Sequence, residues 1–162
     1  MSLPPLHSAL VQQQLPALES ALSGGADPNA VDPIMGNAPL HLAAQIPDSR
    51  FLQRLIDAGA LINQQTPQHG VTALMVAVWH RQPDNVALLL AQPTVNLEIV
   101  AHFGMKAEAL IDFGASSDDA FGRQQSTHMA ALFAEAREQR ATWQARLLAF
   151  NIVVDAILSD AD

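Results

Sequence analysis

Six histidines, at positions 7, 41, 69, 80, 102 and 128, are the side chains of this sequence best suited to acid–base work or metal binding near neutral pH. Their spacing supports neither role. No pair is set as His-x-x-x-His with a Glu between, the arrangement that puts two imidazoles on one helix face for zinc. The chain has no cysteine, so thiolate ligands and disulfides are excluded. A cluster drawn from His69, His80 and His102 has no motif to fix its ligand geometry, and no metal or other cofactor is expected. Asp118-Asp119 is the only adjacent acidic pair. Two carboxylates do acid–base work when a cleft drives their pKa values apart. Preceded by Ser116-Ser117 and followed by a helical pattern, these read instead as helix caps. No serine lies in a Gly-x-Ser-x-Gly context, and no Gly-x-x-x-x-Gly-Lys loop is present to cradle phosphate. With no catalytic residue to name, the expectation is a non-catalytic protein.

Composition narrows the partners. The chain has 162 residues, 49% of them apolar and 15% charged, which is enough apolar material for a folded domain. Sixteen acidic against eight basic residues give a net charge of −8. Phosphate contacts need clustered Lys and Arg, so nucleic acid is a poor partner, and an anionic membrane is disfavoured for the same reason. A basic protein partner is compatible with this charge. Met1-Ser2-Leu3-Pro4-Pro5 lacks the basic and apolar regions of a signal peptide, and no apolar run approaches the ~20 residues of a membrane span. A soluble cytoplasmic protein is expected, although a secreted effector using another signal would have the same composition.

The organising pattern is a repeat. Gly36 recurs as Gly70 and Gly104, a step of 34 residues. Leu6, Leu40 and Leu74 keep the same step, as do Ala9, Ala43 and Ala77, and Leu18, Leu52 and Val86. Leu22, Ile56 and Leu90 follow it, and so do Gly25 and Gly59. A period of this length marks supersecondary units stacked in a row, each burying its apolar face on its neighbours. The run Pro39-Leu40-His41-Leu42-Ala43-Ala44, with the turn Gly25-Ala26-Asp27-Pro28-Asn29, resembles the ankyrin repeat.

Read in order, residues 3–35 form a first repeat, with helices from Pro5 and over Leu15–Ser23, the second stopped by Gly24-Gly25. Residues 36–69 form a second, its first helix ended by Pro47 and its next capped by Asp48 or Ser49. Residues 70–103 form a third, with a helix over 71–80 and another opening near Asp84. Its closing turn, Gln92-Pro93-Thr94-Val95-Asn96, brings the Asn one residue early. Residues 104–125 are a degenerate fourth repeat, with a helix over 104–111 and a loop over 114–125. Residues 126–159 are helical. Met129, Leu132, Phe133, Trp143, Leu147, Phe150, Val154 and Ile157 suit either one long helix or two broken near 139–142. This region reads either as a C-terminal cap or as a homodimer surface over 127–158. Its mixed charges, Glu135, Arg137, Glu138 and Arg140, read as a solvated face. The whole chain is thus expected to be one all-α ankyrin-repeat solenoid with finger-like loops.

The resemblance implies a function as well. The family binds other proteins by its concave face and finger tips. The concave positions are Leu42, Gln45 and Ile46 in the second repeat, and Val76, Trp79 and His80 in the third. The tips span 31–35, 66–69 and 100–103, which adds Met35, His69 and Phe103 as candidate contacts. Trp79 stands out because tryptophan is enriched at interface hot spots, with packing in the core as its alternative. The resemblance also gives His7 and His41 a structural task, tying neighbouring fingers. An adaptor or stoichiometric inhibitor is the leading reading, ahead of an oligomerisation module and then an enzyme.

Overall fold

Proline opens three of the short helices. Pro5, Pro39 and Pro83 each take the first helical position, where a fixed φ suits the helix and a missing N–H costs nothing. The computed structural model describes residues 3–113 and 120–159. Their elements are α1 (Pro5–Val11), α2 (Leu15–Ser23), α3 (Pro39–Ala44), α4 (Ser49–Asp57), α5 (Ala73–Trp79), α6 (Pro83–Leu90), α7 (Leu110–Phe113) and α8 (Ala120–Ser159). No strand occurs among the described residues. The first helices stack in the order α1, α3, α5, α7, and the second helices in the order α2, α4, α6, α8. Extended fingers link one pair to the next.

The residues on the 34-step are the core of this stack. Leu6, Leu40 and Leu74 are buried in successive first helices, and so are Ala9, Ala43 and Ala77. Leu18, Leu52 and Val86 are fully buried in the second helices. Small alanines let first helices approach closely, and the branched residues fill the layer behind them.

Side-chain hydrogen bonds tie the layers at the same interval. His7 donates from Nε2 to the Asn37 carbonyl at 2.8 Å. One repeat on, His41 Nδ1 accepts from the Ala38 N–H at 3.2 Å, so Nε2 carries the proton. That nitrogen donates to the carbonyls of Gln64 (3.0 Å) and Val71 (3.1 Å) in the next finger. The third repeat has Met75 at this place, which has no such donor; there Thr72 caps α5, its Oγ1 accepting from the Met75 N–H. Asparagines make a second series: Asn29 Oδ1 accepts from Leu61 N–H at 2.7 Å, and Asn63 Oδ1 from Asn96 N–H at 2.8 Å. The early Asn96 is therefore still reached by the bond.

Burial lowers the pKa of His41 below the ordinary imidazole value, against the opposing pull of its backbone bonds. Protonation would also set an N–H on Nδ1 against the Ala38 N–H. The unfolded chain therefore takes up this proton more readily than the folded one. Its contribution to stability is full above the ordinary histidine pKa of about 6.5 and is lost as pH falls through that value toward the depressed one. Thermal melts should show the wild type losing stability between pH 7.5 and 5.5, and His41→Gln, less stable throughout, should show a shallower slope.

The fourth repeat departs from the sequence expectation. Residues 104–109 are not helical. Gly104 is left-handed, and i→i+3 bonds from Leu110 to Ala107 and from Ile111 to Glu108 wind the chain into α7. The likeness of Leu110-Ile111-Asp112-Phe113 to the end of a second helix is misleading, because α7 stacks on α5 as a first helix. Residues 120–125 are helix and not loop, since α8 begins at Ala120. The single Gly122 inside it costs only about 1 kcal/mol. Ser116, Ser117, Asp118 and Asp119, read as caps, lie outside the described residues. α8 runs unbroken through 139–142 and packs on α6, in the second-helix place of a fourth unit. Met129 and Phe133 are fully buried there, with Ala136 beside them. The side chains of Phe150, Val154 and Ile157 fall outside the described set.

Candidate functional site

An apolar groove of about 580 Å³ opens where the third repeat meets the fourth. One wall comes from α5, through Met75, Val76 and Trp79, and from His80 immediately after it. The other comes from α7, through Leu110 and Phe113. Two fingers close its ends, with His69 and Val71 from one and Phe103 and Met105 from the next.

The repeat explains this lining. Trp79 and Phe113 are separated by the same 34-residue step as the core columns, and both end first helices. Their rings come together with centroids 6.1 Å apart and planes tilted by 33°. Aromatic pairs at this distance attract beyond their burial. Both remain exposed all the same, Trp79 at 52% and Phe113 at 67%. Phe103 on the finger is also exposed, while Met75 forms a buried floor. Two exposed aromatic faces over thioether side chains make an adaptable apolar surface. The lining includes two histidines and no carboxylate.

α7 is only four residues long and needs outside support. Arg81 supplies it from a left-handed backbone at φ 57°. Its guanidinium donates to the Ile111 carbonyl at 3.1 Å and to Ser126 Oγ at 2.6 Å, joining α7 to α8. The finger wall is fixed by close approach. Gly70 has φ 64°, and a Cβ there would come 2.5 Å from the His102 ring, so only glycine fits. His102 in turn donates its backbone N–H to the His69 carbonyl at 2.9 Å. Outside the groove, Arg137 on α8 pairs with Glu108 and approaches Glu98, and a hydrogen bond from Lys106 holds the Glu98 carboxyl below its ordinary pKa. These are exposed pairs that position more than they stabilise.

Of the nine residues chosen from sequence, five line this groove: His69, Val76, Trp79, His80 and Phe103. Met35 is exposed on the first finger tip beside Ile34, away from it. Leu42 and Gln45 are half-buried on the second repeat. Ile46 is a correction, being 4% exposed and part of the core. α3 ends at Ala44, one residue earlier in the repeat than α5 ends at Trp79, so the chain turns Ile46 inward where His80 points out. Sequence reading also missed Val71, Met75, Met105, Leu110 and Phe113. Phe113 could have been found by extending the step once more from Trp79.

Nothing in the groove has the arrangement of a reaction centre. Among the described residues no cluster of three or more His, Cys, Asp or Glu side chains could hold a metal ion. None of the described helices is long and apolar enough to cross a membrane.

Comparison with known proteins bears on the fold. The sequence profile for ankyrin repeats in three copies matches residues 6–101. Protein PhlB of Serratia liquefaciens is 37% identical over 73 residues, 45% of this chain and 32% of that protein. Ankyrin repeat and SOCS box protein 6 is similar too: the human protein is 38% identical over 92 residues and the mouse protein 37% over the same length. That match covers 52% of this chain and 22% of each of those two proteins, so the chain spans a third or less of the length of these relatives.

Proposed function

The chain belongs to the ankyrin-repeat family, and on that premise we propose that it binds another protein through the groove between its third and fourth repeats. Ankyrin repeats are generally protein–protein interaction modules, which fits a non-catalytic adaptor or stoichiometric inhibitor. The observation that carries the reading is the exposed Trp79–Phe113 pair above an apolar floor. Tryptophan anchors in such settings commonly dominate binding energy. The walls are set by helix stacking, so little ordering cost is paid on association. An apolar side chain of the partner enters the groove, and the net charge of −8 speeds the approach of a basic surface. The remaining candidates Met35, Leu42 and Gln45 are outlying contacts on the same face and fingers. A cytoplasmic setting is consistent with this reading.

The test is affinity capture from the source cells with wild type, Trp79→Ala/Phe113→Ala and Val11→Ala as baits, each shown by circular dichroism to be folded. Val11 is an exposed apolar residue on α1, far along the stack. The reading expects one protein retained by wild type and Val11→Ala and weakened by roughly 30-fold or more in the groove variant, the scale of a hot-spot loss. Equal retention by all three would move the interface elsewhere.

A further inference from the structure

The residues of α8 that face the repeats recur every seven positions. Gly122, Ser126, Met129, Phe133, Ala136 and Arg140 are all buried or half-buried and advance by four and three residues in turn, with half-buried Gln125 and Leu132 widening the stripe on one side. That is the seven-residue period of a coiled-coil seam. Beyond Arg140 the same step lands on Trp143 and then Leu147, but these are 64% and 54% exposed. Every residue over 141–149 is exposed. In the sequence the step goes on through Phe150, Val154 and Ile157. Over 141–149 the seam thus outlasts the array it packs on, and the helix runs on to Ser159, so that residues 141–159 span roughly 28 Å.

We propose that this projecting half of α8 pairs antiparallel with the same segment of a second copy, joining two arrays as a homodimer. The other described helices cannot cover it, since each is four to nine residues long and already packed in the stack. A seam of this period needs a helix with the same period opposite it, and an identical chain supplies one. Charge selects the orientation. Arg140 and Arg146 flank the start of the segment, and Asp155 lies toward its end. Antiparallel copies set the basic stretch of each beside the acidic stretch of the other. Nη2 of Arg140 is enclosed and has no hydrogen-bond partner among the described residues, and a carboxylate of the second copy would supply an acceptor. The dimer leaves the groove of each array open, so it stands independently of the binding proposal.

Light scattering on the full chain across a concentration series tests it. The mass should rise from 17.3 kDa toward twice that value, whereas Leu147→Glu should stay at the single-chain mass with an unchanged circular dichroism spectrum. Trp143→Glu serves as a second, independent variant. A wild type that keeps the single-chain mass throughout, or variants that dimerise as well as it does, would overturn the proposal. The absence of native cysteine makes orientation testable. Gln144→Cys mixed with Leu158→Cys should cross-link with a short bis-maleimide, while each alone should not. Self-cross-linking of each alone would overturn the antiparallel arrangement, and a wild type recovered only with a different protein on this helix would overturn the homodimer.

Discussion

Phe133→Ala is expected to remove about 4 kcal/mol of stability, a large part of what a domain of this size has to lose. The ring is fully buried on the face of α8 that packs on α6 and α7, one turn from the equally buried Met129. Its truncation opens a cavity in the layer where α8 packs on the repeats, and the exposed residues 141–149 of the same helix add nothing to that layer. The loss should appear as a fall in melting temperature of roughly 10 °C or more and a lower urea midpoint. Leu147→Ala, on the exposed stretch of the same helix, is the control and should be close to neutral for the monomer. A Phe133→Ala loss below about 1 kcal/mol would mean that α8 does not hold α6 as described.

Asn85→Ala should cost about 3 kcal/mol by a different route. Asn85 is fully buried near the start of α6, yet its bonds run to another repeat. Its amide nitrogen donates to the carbonyls of Ile46 at 2.8 Å, Ala44 at 3.0 Å and Ala43 at 3.4 Å. These carbonyls lie at and beyond the end of α3, where a helix leaves its last acceptors without partners. Alanine would strand the Ala44 and Ile46 carbonyls in a dry layer, while that of Ala43 keeps its bond from the Ile46 N–H. Asp at the same site should be worse than Ala, because a carboxylate offers no donor and brings charge against three carbonyl oxygens. Urea unfolding of the three proteins checks the ranking, and equal stability of wild type and Asn85→Ala would refute this role for the side chain.

The two residues show where sequence reading reaches and where it stops. The columns through Leu40, Ala43 and Leu52 were legible because a repeat writes its core at a fixed interval, and hydrophobicity marks it. Phe133 was legible as apolar and periodic on a long helix. Its partner was not, since the choice between capping and dimerisation depends on what lies opposite. Asn85 gave no signal, as an asparagine near a helix start reads as a local cap, and nothing local reveals a bond to a helix end some forty residues back. Ile46 was misplaced by the same kind of gap. Its position in the repeat suggests exposure, and one missing residue of helix reverses that. The groove was half legible: the Trp79 side followed from the repeat, while the Phe113 side was hidden by a fourth unit whose helix starts late.

The chain has two tryptophans and no tyrosine, and the tryptophans stand on different surfaces, Trp79 in the groove and Trp143 on the projecting helix. Both rings meet water, so each should emit at long wavelength in the free monomer. Trp143→Phe would leave emission that reports on the groove alone, and Trp79→Phe would leave emission that reports on the helix alone. A blue shift on adding partner, seen only in the first, and one on raising protein concentration, seen only in the second, would let the two events be followed separately in one cuvette without a label.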